Sequence, residues 1–239
     1  FRRAVHVAEQ AVREMPEALV TFGIRPTFAA TGYGYIERGN ELMRRQGIPI
    51  FRVGSFREKP HAELAEEYVV STIHFWNSGI FVWRASTILD RLRASKPKIV
   101  DAVMRIVDAW DTPARDDVLA REYAGLEKIS IDFAVMEKAP TVLMVPAPFQ
   151  WDDVGSWLAI ERRNPQDASG NTVLAQHLGI DTHHCVIVGD DNRLIATIGV
   201  SDLIIIQDGD AVLVAHRNEE GNIKKIVEQL KARGLEKHL

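Results

Sequence analysis

The chain changes texture at the polar stretch 164–171, which carries Pro165 and Gly170. Before it, runs of strand and helix character alternate. After it come short β runs at Val173, 183–188, 194–198, 203–206 and 211–215, broken by Gly, Asp and Asn at intervals of about eight to ten residues. The first part therefore reads as an α/β fold with a largely parallel, layered sheet. The second reads as a small all-β element, barrel or solenoid, closed by an amphipathic helix over 223–233 that Gly234 stops. The expected domains are 1–164 and 165–239.

Within the first part the spacing predicts a helix over 1–15, with Phe1, Val5, Ala8, Val12 and Met15 on one face. A buried strand over 18–24 follows, then an extended segment over 31–37 where aromatics alternate with glycines. The stretch 41–49 reads as a polar connection, 50–56 as a strand ending in Arg57-Glu58-Lys59-Pro60, and 61–70 as a helix. Next come a strand over 77–83, helices over 86–94, 97–110, 112–123 and 130–138, and a strand over 141–145. The chain opens inside a helical pattern and without Met, so an upstream segment is expected.

Composition narrows the function classes. A formal net charge of −4 gives no reason to expect nucleic acid or an anionic membrane as partner. No apolar run approaches the ~20 residues of a membrane span. The one cysteine, Cys185, allows no intramolecular disulfide and suits a reducing cytoplasm.

Chemistry can sit at few places. In Asn77-Ser78-Gly79, at the head of a strand, an amide that donates and accepts stands beside a residue with no side chain, so a polyol could approach the backbone. Glu58, at a strand end, could hold sugar hydroxyls, and its neighbour Lys59 could neutralise a phosphate; an exposed ion pair at a turn explains them equally well. Asp152-Asp153 could bind Mg²⁺, or Asp153 could cap a helix ahead of Ser156 and Trp157. Taken singly, each is better explained without a ligand. Gly32-Tyr33-Gly34 begins like a dinucleotide fingerprint, but Glu37 stands where the third glycine belongs and no helix follows. His177, His183, His184 and Cys185 fit no common zinc spacing. Asp190-Asp191-Asn192 reads as a hairpin turn, and Trp76, Trp83, Trp151 and Trp157 as packing residues.

Taken together, five segments resemble mannose-1-phosphate guanylyltransferases of the nucleotide-sugar transferase superfamily in order and spacing. They are Thr31-Gly32-Tyr33-Gly34-Tyr35-Ile36, Phe56-Arg57-Glu58-Lys59-Pro60, Trp76-Asn77-Ser78-Gly79-Ile80-Phe81, Ser130-Ile131-Asp132-Phe133-Ala134-Val135-Met136-Glu137-Lys138 and Trp151-Asp152-Asp153-Val154-Gly155-Ser156-Trp157. The resemblance implies a Rossmann-like nucleotidyltransferase sheet flanked by helices, then a small β-helix-like C-terminal domain and terminal helix. It implies GTP and mannose 1-phosphate as substrates, GDP-mannose and pyrophosphate as products, and Mg²⁺ as cofactor. Carried over by motif, Gly34 presents backbone to the sugar, Glu58 and Asn77 hold it, Gly79 stands beside them, Lys59 lies at the phosphate as the catalytic cation, and Asp153 is one of two metal aspartates.

The family places its glycine-rich nucleotide loop and its other metal aspartate ahead of the position where Phe1 stands. The resemblance therefore implies an incomplete portion of such an enzyme, inactive alone, whose base specificity is not readable here. Another sugar-1-phosphate nucleotidyltransferase and a non-catalytic nucleotide-sugar-binding paralogue remain open. The C-terminal domain is a candidate surface for a homodimer.

Overall fold

The computed structural model describes residues 1–238. The chain forms two compact units, Phe1–Trp151 and Asp152 onward.

The first unit opens with α1, Arg2–Glu14. It is packed through Ala4, Val7, Ala8, Ala11 and Val12, with Val5 and Met15 of the expected face partly buried against the same core. Alanines let the helix backbone approach the sheet, where Val20, Phe22, Ile48, Ile50, Leu143 and Val145 complete the core. Phe1 stays 61% exposed, its ring edge-on to Phe149.

Five strands, β1 (Leu19–Ile24), β2 (Gly34–Arg45), β3 (Ile48–Glu58), β4 (His74–Val82) and β5 (Val142–Pro146), close into a ring in the order β1-β4-β2-β3-β5. Only the β1–β5 pairing is parallel; β1–β4, β2–β4, β2–β3 and β3–β5 are antiparallel. The expectation of a largely parallel sheet is corrected by the hairpin that joins β2 to β3. The stretch 41–49 is not a connection: Glu41, Met43, Arg44 and Arg45 pair with Phe51, Ile50, Pro49 and Ile48. The turn is Gln46-Gly47, both with positive φ (48° and 77°), the two-residue geometry that matches strand twist. The strand ends read as loop because they are solvated; Arg44 and Arg45 pair with Glu41 and Glu14.

Between β3 and β4 lies α2, Ala62–Val70, capped by the His61 ring. After β4 come α3 (Ala85–Ser95), α4 (Pro97–Ala109) and α5 (Arg115–Ala124). The expected helix over 130–138 is two pieces, α6 (Ile131–Ala134) capped by Ser130, and a 3-10 turn at Met136–Lys138. The break at Val135 buries Ala134, Val135 and Met136 together against Leu19 and Val142.

The second unit holds α7 (Leu158–Arg163), then β6 (Thr172–Leu174), β7 (Gln176–His183), β8 (Val186–Val188), β9 (Leu194–Ser201), β10 (Leu203–Asp208), β11 (Ala211–His216) and α8 (Ile223–Ala232). Successive strands alternate between two sheets. β6, β8 and β10 stack in parallel, with Val173, Ile187 and Ile205 in one register line, while β7 and β9 pair in parallel opposite them. This is the coiling of a β-helix, ended by β11 turning back antiparallel on β10. Cys185, Ile187 and Ile205 are its core. The turn at Asp190-Asp191-Asn192 is a corner between sheets rather than a hairpin, since β8 and β9 do not pair. Among the described residues no helix is long and apolar enough to cross a membrane.

Candidate functional site

β4 is interrupted where its sequence reads Asn77-Ser78-Gly79. Asn77 faces Gly23 and Phe81 faces Thr21, so Ser78, Gly79 and Ile80 bulge opposite Phe22 alone. Side chains satisfy the bulged backbone. Gly79 N–H donates to Asn77 Oδ1 (3.4 Å), Ile80 N–H to Ser78 Oγ (3.2 Å), and Thr21 Oγ1 to Asn77 Oδ1 (2.8 Å). Gly79 takes φ +68°, a conformation glycine reaches without a Cβ clash, and the space over it is open. The strand starts at His74, three residues earlier than the expected Asn77, because Phe75 and Trp76 pair with Ile36 and Tyr35.

This register lines up residues of neighbouring strands. Asn77 pairs with Gly23 on one side and, next to the Trp76–Tyr35 pair, lies beside Gly34 on the other. Gly34 in turn is the register partner of Glu58. A Cβ on Gly34 would stand 2.3 Å from Glu58 Oε2 and 3.5 Å from Asn77 Cβ, so the bare backbone is what lets the carboxylate and the amide share one spot. Asp132, near the start of α6, accepts from Asn77 Nδ2 at 3.0 Å. The structure thus brings Gly34, Glu58 and Asn77 together, with Gly79 hydrogen-bonded to the last of them.

Glu58 is not an exposed ion-pair residue. Its side chain is 12% exposed, and burial, then the negative charge of Asp132, push its carboxyl above the ordinary value, with Lys59 opposing. Lys59 Nζ stands 3.6 Å from Glu58 Oε1 and is 62% exposed, a solvated cation over a partly desolvated carboxylate. Its backbone is held at φ +48°, and its N–H donates to Tyr33 O. Beside the row, Trp76 meets Phe28 and Tyr33 with ring centroids 4.8 and 5.1 Å apart, and Tyr33 meets Trp151 at 5.7 Å. These rings are packing, as expected of Trp76 and Trp151.

Thr21 and Asp132 are members of the site to which sequence reading gave no role. Asp132 lay in a quoted motif, a signal that was present. Thr21 sits in an apolar strand with nothing in its neighbours to mark it.

Asp153 belongs to the second unit. It is not a helix cap, because α7 begins only at Leu158; its Oδ1 instead accepts from Gly155 N–H at 3.2 Å. Its neighbour Asp152 is held by Arg162 through two bonds of 2.8 and 2.9 Å. Of the pair, Asp153 is therefore the carboxylate with coordination capacity to spare. Among the described residues no group of three or more His, Cys, Asp or Glu side chains could hold a metal. His177 bonds Thr197, and Cys185 is buried.

Comparison with known proteins adds the following. The family model for nucleotidyl transferases matches residues 1–170, and that for the MannoseP isomerase/GMP-like beta-helix domain matches residues 175–230. A mannose-1-phosphate guanylyltransferase of Escherichia coli K12 is 39% identical over 244 aligned positions, covering 100% of this chain and 49% of the relative. The xanthan biosynthesis protein XanB of Xanthomonas campestris pv. campestris strain B100 is 38% identical, covering 98% of this chain and 48% of the relative. The crystal structure of a protein described as mannose-1-phosphate geranyltransferase, from Thermus thermophilus, superposes with a TM-score of 0.78 at 36% identity, covering 96% of this chain and 64% of the other. The chain spans about half the length of the curated relatives it matches.

Proposed function

This chain belongs to the nucleotidyl transferase family, and from that premise we propose that the protein transfers GMP from GTP to mannose 1-phosphate, giving GDP-mannose and pyrophosphate. A phosphate oxygen of the sugar phosphate attacks the α-phosphorus of GTP. The new P–O bond replaces the bond to pyrophosphate, which leaves with its electron pair. No covalent intermediate on the protein is needed, so the protein's work is positioning and charge neutralisation.

The observation that carries the proposal is the convergence of Gly34, Asn77 and Glu58 on one row across three strands. An ionised Glu58 is acceptor-only and takes hydroxyl protons of the sugar. The bare backbone of Gly34 lets Glu58 and Asn77 converge on the ring, and Asn77 orients it. Lys59 swings from Glu58 to the phosphate, where its charge is the catalytic cation this chain contributes. The name of the 39%-identical relative is in keeping with this substrate.

Asp153 is the residue we assign to Mg²⁺, which when bound neutralises phosphate charge. A single hard carboxylate suits that ion, which commonly takes one or two carboxylates plus phosphates and water. We further propose that the protein works in the cytoplasm, in keeping with its buried unpaired Cys185. We also propose that a second copy covers the apolar outer face of β7 and β9, where Leu178, Ile180, Leu194 and Ile198 are each at least 60% exposed. Sedimentation velocity of the wild type and of Ile180→Lys distinguishes dimer from monomer.

Pyrophosphate release from GTP by the complete enzyme, with and without mannose 1-phosphate, tests the reaction. The expected result is release that requires the sugar phosphate and is not supported equally by glucose 1-phosphate or by other nucleoside triphosphates. Release independent of the sugar, or preferring another pair, contradicts the proposal.

A further inference from the structure

The Asn77 amide is held from both ends, and its partners leave no freedom about which way it points. Gly79 N–H can only donate, so the atom 3.4 Å away is the amide oxygen. The Asp132 carboxylate accepts, so the atom 3.0 Å away is the amide nitrogen. Thr21 Oγ1 lies 2.8 Å from Asn77 Oδ1 and 3.2 Å from Ile80 O. Its single proton belongs on the shorter contact, because two oxygens at that separation without a proton between them would repel. Thr21 is fully buried, so water does not compete for that proton.

We propose that Thr21 and Asp132 are positioning residues that lock the Asn77 amide so that it offers the ligand one N–H donor and no spare acceptor. Both lone-pair directions of Oδ1 are occupied, by Thr21 and by Gly79, and one Nδ2 proton is committed to Asp132. The second Nδ2 proton faces the ligand. The two groups of the pocket are then complementary: Asn77 meets an oxygen of the sugar phosphate as acceptor, and Glu58 meets a hydroxyl as donor. A freely rotating amide could swap roles and accept polyols of different stereochemistry; a locked one discriminates among them. The inference rests on the sugar-phosphate assignment of the preceding subsection and specifies how that pocket reads its ligand.

Calorimetric titration of the protein with mannose 1-phosphate separates the two. Asn77→Ala is expected to weaken binding about ten-fold, Thr21→Val about as much, and Thr21→Ser no more than about two-fold. Thr21→Val added to Asn77→Ala is expected to cost nothing further, since an amide that is absent cannot be positioned. If Thr21→Val fails to fold, the partly exposed Asp132 supplies the second pair. Asp132→Asn keeps an acceptor for Nδ2 and is expected to bind at least about five-fold more tightly than Asp132→Ala, although both remove the charge. Wild-type affinity in Thr21→Val, losses that add in the double variant, or equal binding by Asp132→Asn and Asp132→Ala overturn the positioning role. The pocket assignment survives those results, provided Asn77→Ala still weakens binding. Wild-type affinity in Asn77→Ala, or no saturable binding by the wild type, overturns the pocket assignment and this inference with it.

Discussion

Gly34 and Glu58 face each other as register partners across the β2–β3 hairpin, and a Cβ on Gly34 would stand 2.3 Å from Glu58 Oε2. One of the two must give way if Gly34 carries a side chain. The carboxylate is the more mobile, but its side chain is only 12% exposed and has little room to retreat. Gly34→Ala is expected to cost about 1–3 kcal/mol of stability, the range for overpacking. It should also weaken mannose 1-phosphate binding about as much as loss of the carboxylate does. Thermal melts and calorimetry of the variant check both effects.

Glu58 carries a stability cost whose pH dependence has a definite sign. Burial and the charge of Asp132 raise its pKa above the ordinary 4.5, so the folded chain holds this proton more tightly than the unfolded chain. The unfolded state therefore binds fewer protons here, and this group's contribution to stability falls as pH rises from 4.5 through the folded value. Glu58→Gln removes the charge and the dependence. The variant is expected to melt higher than the wild type at pH 7, with the gap closing towards pH 4, as followed by calorimetric melts across pH. A gap that widens on acidification contradicts the sign.

Trp76 is 4% exposed, and its Nε1 has no hydrogen-bond partner among the described residues. An unsatisfied buried donor costs about 1–3 kcal/mol, which offsets much of what the larger ring gains by filling space. Trp76→Phe is expected to lie within about 1 kcal/mol of the wild type, whereas Trp76→Ala is expected to lose about 3–5 kcal/mol. Urea denaturation of both variants measures the difference.

The adjacent carboxylates Asp152 and Asp153 separate structure from chemistry. Asp152 makes two bonds to Arg162, and Asp152→Asn forfeits at least one charge-assisted bond, about 1–3 kcal/mol. Asp153 accepts one backbone bond from Gly155, which asparagine can replace. Asp153→Asn is expected to melt within about 0.5 kcal/mol of the wild type while abolishing Mg²⁺-dependent turnover of the complete enzyme. Melting curves paired with pyrophosphate release decide between the two roles.

Much of this was legible in the residues, and the omissions share a cause. Gly34, Glu58 and Asn77 were marked because each is unusual for a strand: a glycine, a carboxylate before Lys-Pro, an amide before Ser-Gly. Thr21 carries no such mark, since threonine is an ordinary strand residue; its role exists only because the bulge in β4 sets Thr21 across from Phe81. The strand ends at 41–45 and most of β7 look like loop because they are solvated and polar, and backbone pairing there is fixed by tertiary contacts rather than by composition. On α1 the expected face holds for Val5, Ala8, Val12 and Met15, and Ala4, Val7 and Ala11 widen it where the helix packs closely on the sheet.

The measurement that tests the pocket most directly is calorimetric titration of the wild type and of Glu58→Gln with mannose 1-phosphate at neutral pH. The account predicts saturable binding by the wild type and binding about ten- to hundred-fold weaker in the variant, the loss of one charge-assisted hydrogen bond. Equal affinity in the two proteins, or no binding by the wild type, contradicts it.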